Sequence, residues 1–181
     1  MLSPVNIIGD VTHALELLLG ELTPSLGSPA DLQLGENDTG GINIYLYQVL
    51  ECSHGKNRTL RTRPDGDREY PPLVLKLYYL LTPYAGNLMT EHHILGDAMR
   101  TLYDHAVIAD SELPESLRLV TSQVAIVLLP LQLEELTRIW SALQSAFRLS
   151  VAYEVRVVPI DSETVVTPSR VLTKLDLVAQ T

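Results

Sequence analysis

The sequence predicts an α+β fold in which a single mixed β-sheet carries flanking helices. Residues 42–51 and 149–158 alternate with the two-residue period of a strand, while 73–81 are apolar on both faces apart from Lys76, as a central strand is. Apolar residues recur at helical spacing near the N-terminus, at 88–105 and at 134–147. The order helix, strands, helix, strand, helix, strand suits one sheet with helices packed against it. A chain of 181 residues is long enough to bury most of its apolar surface in one core.

The first helix is predicted to start at Ser3, whose hydroxyl can accept a bond from a first-turn amide, with Pro4 where a missing N–H costs nothing. Ile8, Val11, Leu15, Leu18 and Leu22 form its apolar stripe, and Pro24 ends it. Residues 32–34 suggest a small edge strand, and GENDTGG a turn or loop. In 42–51, Ile42, Ile44, Leu46 and Leu50 are expected on one face, with Asn43, Tyr45, Tyr47 and Val49 on the other. Residues 52–72 are a long polar excursion that Pro, Gly and Asp should keep irregular, and loops of that length are usually functional or disordered. The strand 73–81 is closed by Pro83 and Gly86.

The second helix should turn Leu95, Met99, Leu102, Tyr103 and Ala106 inward. A loop around Pro114 leads to a strand near 120–129, ended by Pro130. The third helix should bury Leu136, Ile139, Trp140, Leu143 and Phe147, with acidic residues at its dipole-positive start. In the late strand Val151, Tyr153, Val155 and Val157 share a face, and Pro159 ends it. Residues 1–161 are thus expected to form the α+β domain. Residues 162–181 show two short alternating runs around TPSR and form a C-terminal hairpin or an extended arm.

A formal charge of −9 repels nucleic acid and anionic lipid, so neither is expected as a main partner. The single cysteine, Cys52, can form no internal disulfide and no paired-thiol metal site, and reads as a reduced thiol. The start MLSPVNIIGD lacks the basic and long apolar runs of a secretory signal, and no stretch reaches the roughly 18 to 20 apolar residues of a membrane span. The chain is therefore expected to be made and assembled in the cytoplasm.

No catalytic motif is present: there is no nucleophile elbow, no glycine-rich phosphate loop, no H-E-x-x-H and no cysteine-pair spacing. His92, His93, Asp97, Asp104 and His105 are the densest titratable group, but His105 lies three turns beyond His93. A helix surface with a carboxylate–histidine pair is the better reading than a metal site. Cys52 and His54 lack an orienting carboxylate. No catalytic, metal or cofactor site is expected.

The excursion concentrates Lys56, Arg58, Arg61, Arg63 and Arg68, five of the 13 cations, on an acidic body, together with Asp65, Asp67 and Glu69. A phosphate contact and a solvated hairpin tip are both open to it. The favoured reading is a contact loop that meets an acidic neighbour, including another copy of the chain. Glu154 and Arg156 should lie on the opposite side of the sheet from Val151, Tyr153 and Val155, where they pair across strands or meet a neighbour.

Four stretches in order, INIYLYQVLE (42–51), PPLVLKLYYLLTPY (71–84), HHILGDAMRTLYDHAVI (92–108) and LQLEELTRIWSALQSAFRLSVAYEVRVVPID (131–161), resemble the cap, or tail-terminator, family of extracellular contractile injection systems, which are phage-tail-like particles. Phe147 stands where a tyrosine is usual in that family, the 52–72 loop is richer in charge, and 162–181 matches only weakly. The resemblance implies a fold similar to phage tail-terminator proteins. It also implies a homo-hexameric ring at the end distal to the baseplate, with sheath and inner-tube subunits as partners and polymerisation of both ended by the ring. A different structural adaptor of the same particle, at a tube end or baseplate, is the alternative. A small metal-dependent hydrolase using His93 or His105 comes third.

Overall fold

The computed structural model describes residues 6–32, 40–52, 61–62, 68–69, 73–109, 111, 113–118, 121, 123–160 and 165–166. Helix α1 (Ile7–Leu18) is capped by Asn6, whose side-chain oxygen accepts the Gly9 amide at 3.3 Å. The predicted cap at Ser3 and Pro4 lies outside the described residues. Ile7, Val11, Ala14 and Leu15 form the buried row, continued by Leu19. Ile8, Leu18 and Leu22 pack only at its margin, so the buried stripe is centred on Ile7 and Ala14 rather than on Ile8.

Among the described residues the edge strand on this side is β1 (Ser25–Leu26), parallel to the start of β2 (Gly41–Glu51), with Ser25 opposite Asn43 and Leu26 opposite Ile44. Leu32 is in no strand, and 33–39 lie outside the described residues. Two residues of strand leave no periodic signal. What holds them is Asn43, whose side-chain amide donates to the Ser25 carbonyl and hydroxyl, both at 3.2 Å, and to the Gly27 carbonyl at 3.3 Å. The entry to β2 requires glycine. Gly40 has φ +90°, and a Cβ there would stand 2.2 Å from the Tyr84 carbonyl oxygen; one on Gly41 would stand 2.3 Å from that of Thr23.

The excursion is not wholly irregular. β3 (Arg61–Thr62) and β4 (Arg68–Glu69) pair antiparallel, and β4 also pairs with β9 (Val165–Val166), giving a small three-stranded sheet. The main sheet has six strands in the order β1-β2-β5-β8-β7-β6, built with β5 (Leu73–Tyr84), β6 (Val107–Ala109), β7 (Gln123–Leu129) and β8 (Val151–Ile160). Every pair in it is antiparallel except β1/β2, so the sheet is mixed, and β5 is central as its two-sided apolar pattern predicts.

Pro83 and Pro159 sit inside strands rather than ending them. Pro83 faces Ile42 on one side, while the β8 ladder has already stopped at Leu81. Pro159 faces Val74, and β7 has stopped opposite Arg156. Among the described residues each proline thus has a paired strand on one side only.

One face of the sheet holds the main core: Ile42, Ile44, Leu77, Tyr79, Leu81, Ile126, Tyr153 and Val155 meet α1, α2 (Leu88–Asp104) and α3 (Glu115–Arg118) through Val11, Leu15, Leu95, Ala98, Leu102 and Leu117. Thr12 couples the layers. Its hydroxyl donates to the Ile8 carbonyl at 3.0 Å and takes the Tyr79 hydroxyl at 2.9 Å, and burial pushes the Tyr79 phenol up to about 12 against that bond. In α2, Tyr103 is 82% exposed and Ala106 lies beyond the helix, exposed. Ala98 joins Leu95 and Leu102 in the buried row, and Met99 packs at its margin.

The last helix, α4 (Leu133–Ala142), lies on the other side of the sheet. Gln132 and Glu135 close a reciprocal capping box, and Gln144 at φ 54° ends the turn. It stops five residues short of Phe147, which is 47% exposed and meets Trp140 edge-on at 6.4 Å instead of continuing the stripe. Trp140 is 1% exposed, and its indole N–H donates to the Ser150 hydroxyl at 3.1 Å.

Candidate assembly surface

The second face of the sheet carries a buried charge cluster and an open apolar groove. A β-bulge at Tyr47 shifts the β2/β5 register between Leu46 and Gln48. The extra residue reverses the alternation beyond it. Leu50, expected with Ile42, Ile44 and Leu46, therefore lines the second face together with Tyr47 and Gln48. These three, with Tyr78, Leu129, Leu131 and Ile139, enclose an open groove of about 370 Å³ between the sheet and α4, with Glu135 and Arg138 at its rim. Burial, with the Tyr78 ring 6.2 Å away, pushes the Tyr47 phenol up to about 12.

At the end of the groove formed by Tyr78 sits the one charged side chain buried among the described residues. Glu154 Oε1 accepts from Arg156 Nε at 2.5 Å and pairs with Lys76 Nζ at 3.2 Å, and the Tyr78 hydroxyl also donates to this carboxylate. Burial alone would raise its pKa. The bonds from Arg156, Tyr78 and Lys76 together outweigh burial and hold the carboxyl below its ordinary value. Lys76 and Arg156 face each other in the ladder, so one carboxylate is shared by two cations and the cluster carries a net charge of +1. The Arg156 side chain is half exposed.

Of the expected contact residues, Glu154 and Arg156 are brought together. Arg61 and Arg68 lie in β3 and β4, and Lys56, Arg58 and Arg63 lie outside the described residues. Lys76 and the groove were missed. Lys76 stands out in the sequence as the single charge in an apolar strand, but its pairing with the buried Glu154 depends on β5 lying beside β8.

The histidine cluster does not converge. His92 and His93 are exposed, Asp97 pairs with Arg100 at 2.9 Å, and His105 Nδ1 lies 3.0 Å from the Thr101 carbonyl oxygen. Among the described residues no three His, Cys, Asp or Glu side chains are placed to hold a metal. A cleft of about 470 Å³ beside His105 is walled by Leu17, Leu18, Leu22, Asp97 and Arg100. Cys52 is half-buried, its amide tied to the Val74 carbonyl at 2.8 Å, and His54 lies outside the described residues. No helix among the described residues is long and apolar enough to cross a membrane.

The family model described as the Pvc16 N-terminal domain matches residues 10–174, nearly the whole chain. The chain belongs to this family. Among solved structures, the sheath/tube terminator of a PVC extracellular contractile injection system in its extended state is similar at 20% identity and a TM-score of 0.64, over 96% of this chain and 64% of that one. The tube-terminating cap of the anti-feeding prophage is similar at 18% identity and a TM-score of 0.54, over 96% of this chain and 61% of that one. Both are described as structural terminators or caps and neither as an enzyme, and the chain spans less than two-thirds of the length of each. No curated protein matches the sequence. This member of the Pvc16 N-terminal family thus folds as a six-stranded mixed sheet with flanking helices, a fold it shares with both terminators.

Proposed function

We propose that this Pvc16-type chain is a structural cap subunit of a contractile injection particle. Copies assemble into a ring, six in number, that sits on the last inner-tube and sheath layers and ends the growth of both. The observation that carries this reading is the family match over residues 10–174, joined by a shared fold with a protein described as a sheath/tube terminator. The chain's own surface supports it. Closed rings join unlike patches head to tail, and the chain combines an acidic body with a cationic 52–72 segment and a half-exposed Arg156 on a cluster of net positive charge. Lys56, Arg58, Arg61, Arg63, Arg68, Glu154 and Arg156 are the contacts this reading assigns, with 1–161 as the ring-forming unit, 162–181 as an arm, and assembly in the cytoplasm.

The test is removal of the chain from cells that build the particle, followed by electron microscopy. Loss of a terminator gives tubes and sheaths of uncontrolled length. Particles of normal length lacking only the baseplate would identify an adaptor at the other end and reject the cap.

A further inference from the structure

We propose that the outer edge of β2 is a strand-addition site for the 167–181 segment of a second copy of this chain. The pairing rests on the ring reading above and names the contact between adjacent subunits. β1 covers β2 only at Asn43 and Ile44. Among the described residues nothing pairs with that edge at 45–50, a run reading YLYQVL. An open edge of this kind is a template for another strand. Natural edges are usually blunted with Lys, Pro or short length, and this run has no Lys, Arg or Pro. Among the described residues its protection is limited to the bulge at Tyr47, and Val49 and Leu50 are 39% and 43% exposed.

The occupant is argued from its pattern. In 167–181, Val171, Thr173, Leu175 and Leu177 alternate with Leu172, Lys174 and Asp176, so an extended strand there has one β-branched or apolar row and one largely polar row. Added beside β2, the first row continues the floor laid by Leu50, Tyr47 and Ile139 in the α4 groove, and the polar row faces solvent or a neighbour. Fifteen extended residues span about 50 Å, enough to reach an adjacent subunit. The segment follows β9, which is tied to β4 of its own chain, so its root is fixed. Tail and edge are two unlike patches on one chain, which is what a head-to-tail ring requires.

The experiment uses the full chain with Cys52→Ser. One sample carries Leu50→Cys, on the groove face, and a second, of different tag length, carries a cysteine in turn at Val171, Thr173, Leu175 or Leu177. Mixed under mild oxidation, the two are expected to form a disulfide between chains at one of the four positions. Adding Lys174→Pro with Leu175→Pro, or with Thr173→Pro where the linking cysteine is at 175, removes a ladder donor in either register and should abolish the link without moving the thermal midpoint. A chain carrying both cysteines that links only to itself, or no link at any position, overturns the proposal, as does a link that survives the prolines. Rings without the link reject this pairing and leave the cap reading standing; the link without rings supports the pairing and counts against the ring.

Discussion

Lys76 and Glu154 meet at 3.2 Å, one ladder step away from the register in which Lys76 faces Arg156 and Glu154 faces Tyr78. The carboxylate is nearly fully buried, so its two cations are what make its burial tolerable. Glu154→Gln leaves those cations adjacent without a counter-charge and should cost about 3 kcal/mol, the low end for a broken buried pair because Lys76 and Arg156 keep some solvent. Urea unfolding with an unchanged m-value measures it. Adding Lys76→Met should restore part of the loss, and additivity of the two changes would show that the residues act independently.

The same cluster sets an acid limb. Burial would raise the Glu154 pKa, but bonds from Arg156, Tyr78 and Lys76 bring it below the ordinary 4.5. A depressed carboxyl contributes stability that is present above its unfolded pKa and lost as pH falls through the folded one. Unfolding free energy should therefore decline below about pH 4.5, less steeply in Glu154→Gln. At the other end, burial raises the Tyr79 and Tyr47 phenols to about 12 from 10.0. Raised groups contribute fully below the unfolded value and lose that contribution through the folded one, so stability should fall between pH 10 and 12. Replacing both by Phe should flatten that limb, and an unchanged slope would place the cause elsewhere.

Trp140→Ala should destabilise the fold by about 3 to 5 kcal/mol, because it opens a large cavity and removes the indole N–H that the Ser150 hydroxyl accepts, leaving that hydroxyl its bond to the Arg148 carbonyl. Phe147→Ala removes a half-exposed ring and should cost about 1 kcal/mol. Thermal melts compare them directly. Equal losses would mean that Phe147 is the anchor and that Trp140 packs loosely.

Much of this architecture is legible in the sequence because hydrophobic period depends on neighbours close along the chain. The strands of β2, β5 and β8 and the rows around Val11, Leu95 and Trp140 follow from it. What it misses depends on distant partners. The bulge that turns Leu50 to the second face exists only relative to β5. β1 exists only because Asn43 reaches back to Ser25. Tyr103 shares the helical period of the buried row yet is exposed, since what lies over that part of α2 is set by tertiary packing. On the candidate surface, Glu154 and Arg156 were visible as charges in an apolar strand, whereas Lys76 became their partner only through strand order. The groove needed both the bulge and the position of α4.

The cations Arg58, Arg61 and Arg63 offer the most direct test of the assigned contact loop. They lie in a 52–72 segment that carries five of the chain's 13 cations, against a whole-chain charge of −9, so a second copy presents them with a complementary field. Exposed pairs are each worth about 0.2 to 1 kcal/mol, so reversing all three to Glu should weaken assembly by about 1.5 kcal/mol, roughly tenfold. Because such charges are screened over about 10 Å at 0.1 M salt, the parent should dissociate as salt rises, while the triple variant should be weak throughout and less sensitive. Native mass by light scattering at low and high salt reads both quantities. A triple variant that assembles like the parent at low salt would remove these arginines from the interface, and the Arg156 cluster and the β2 edge would then have to account for the contact.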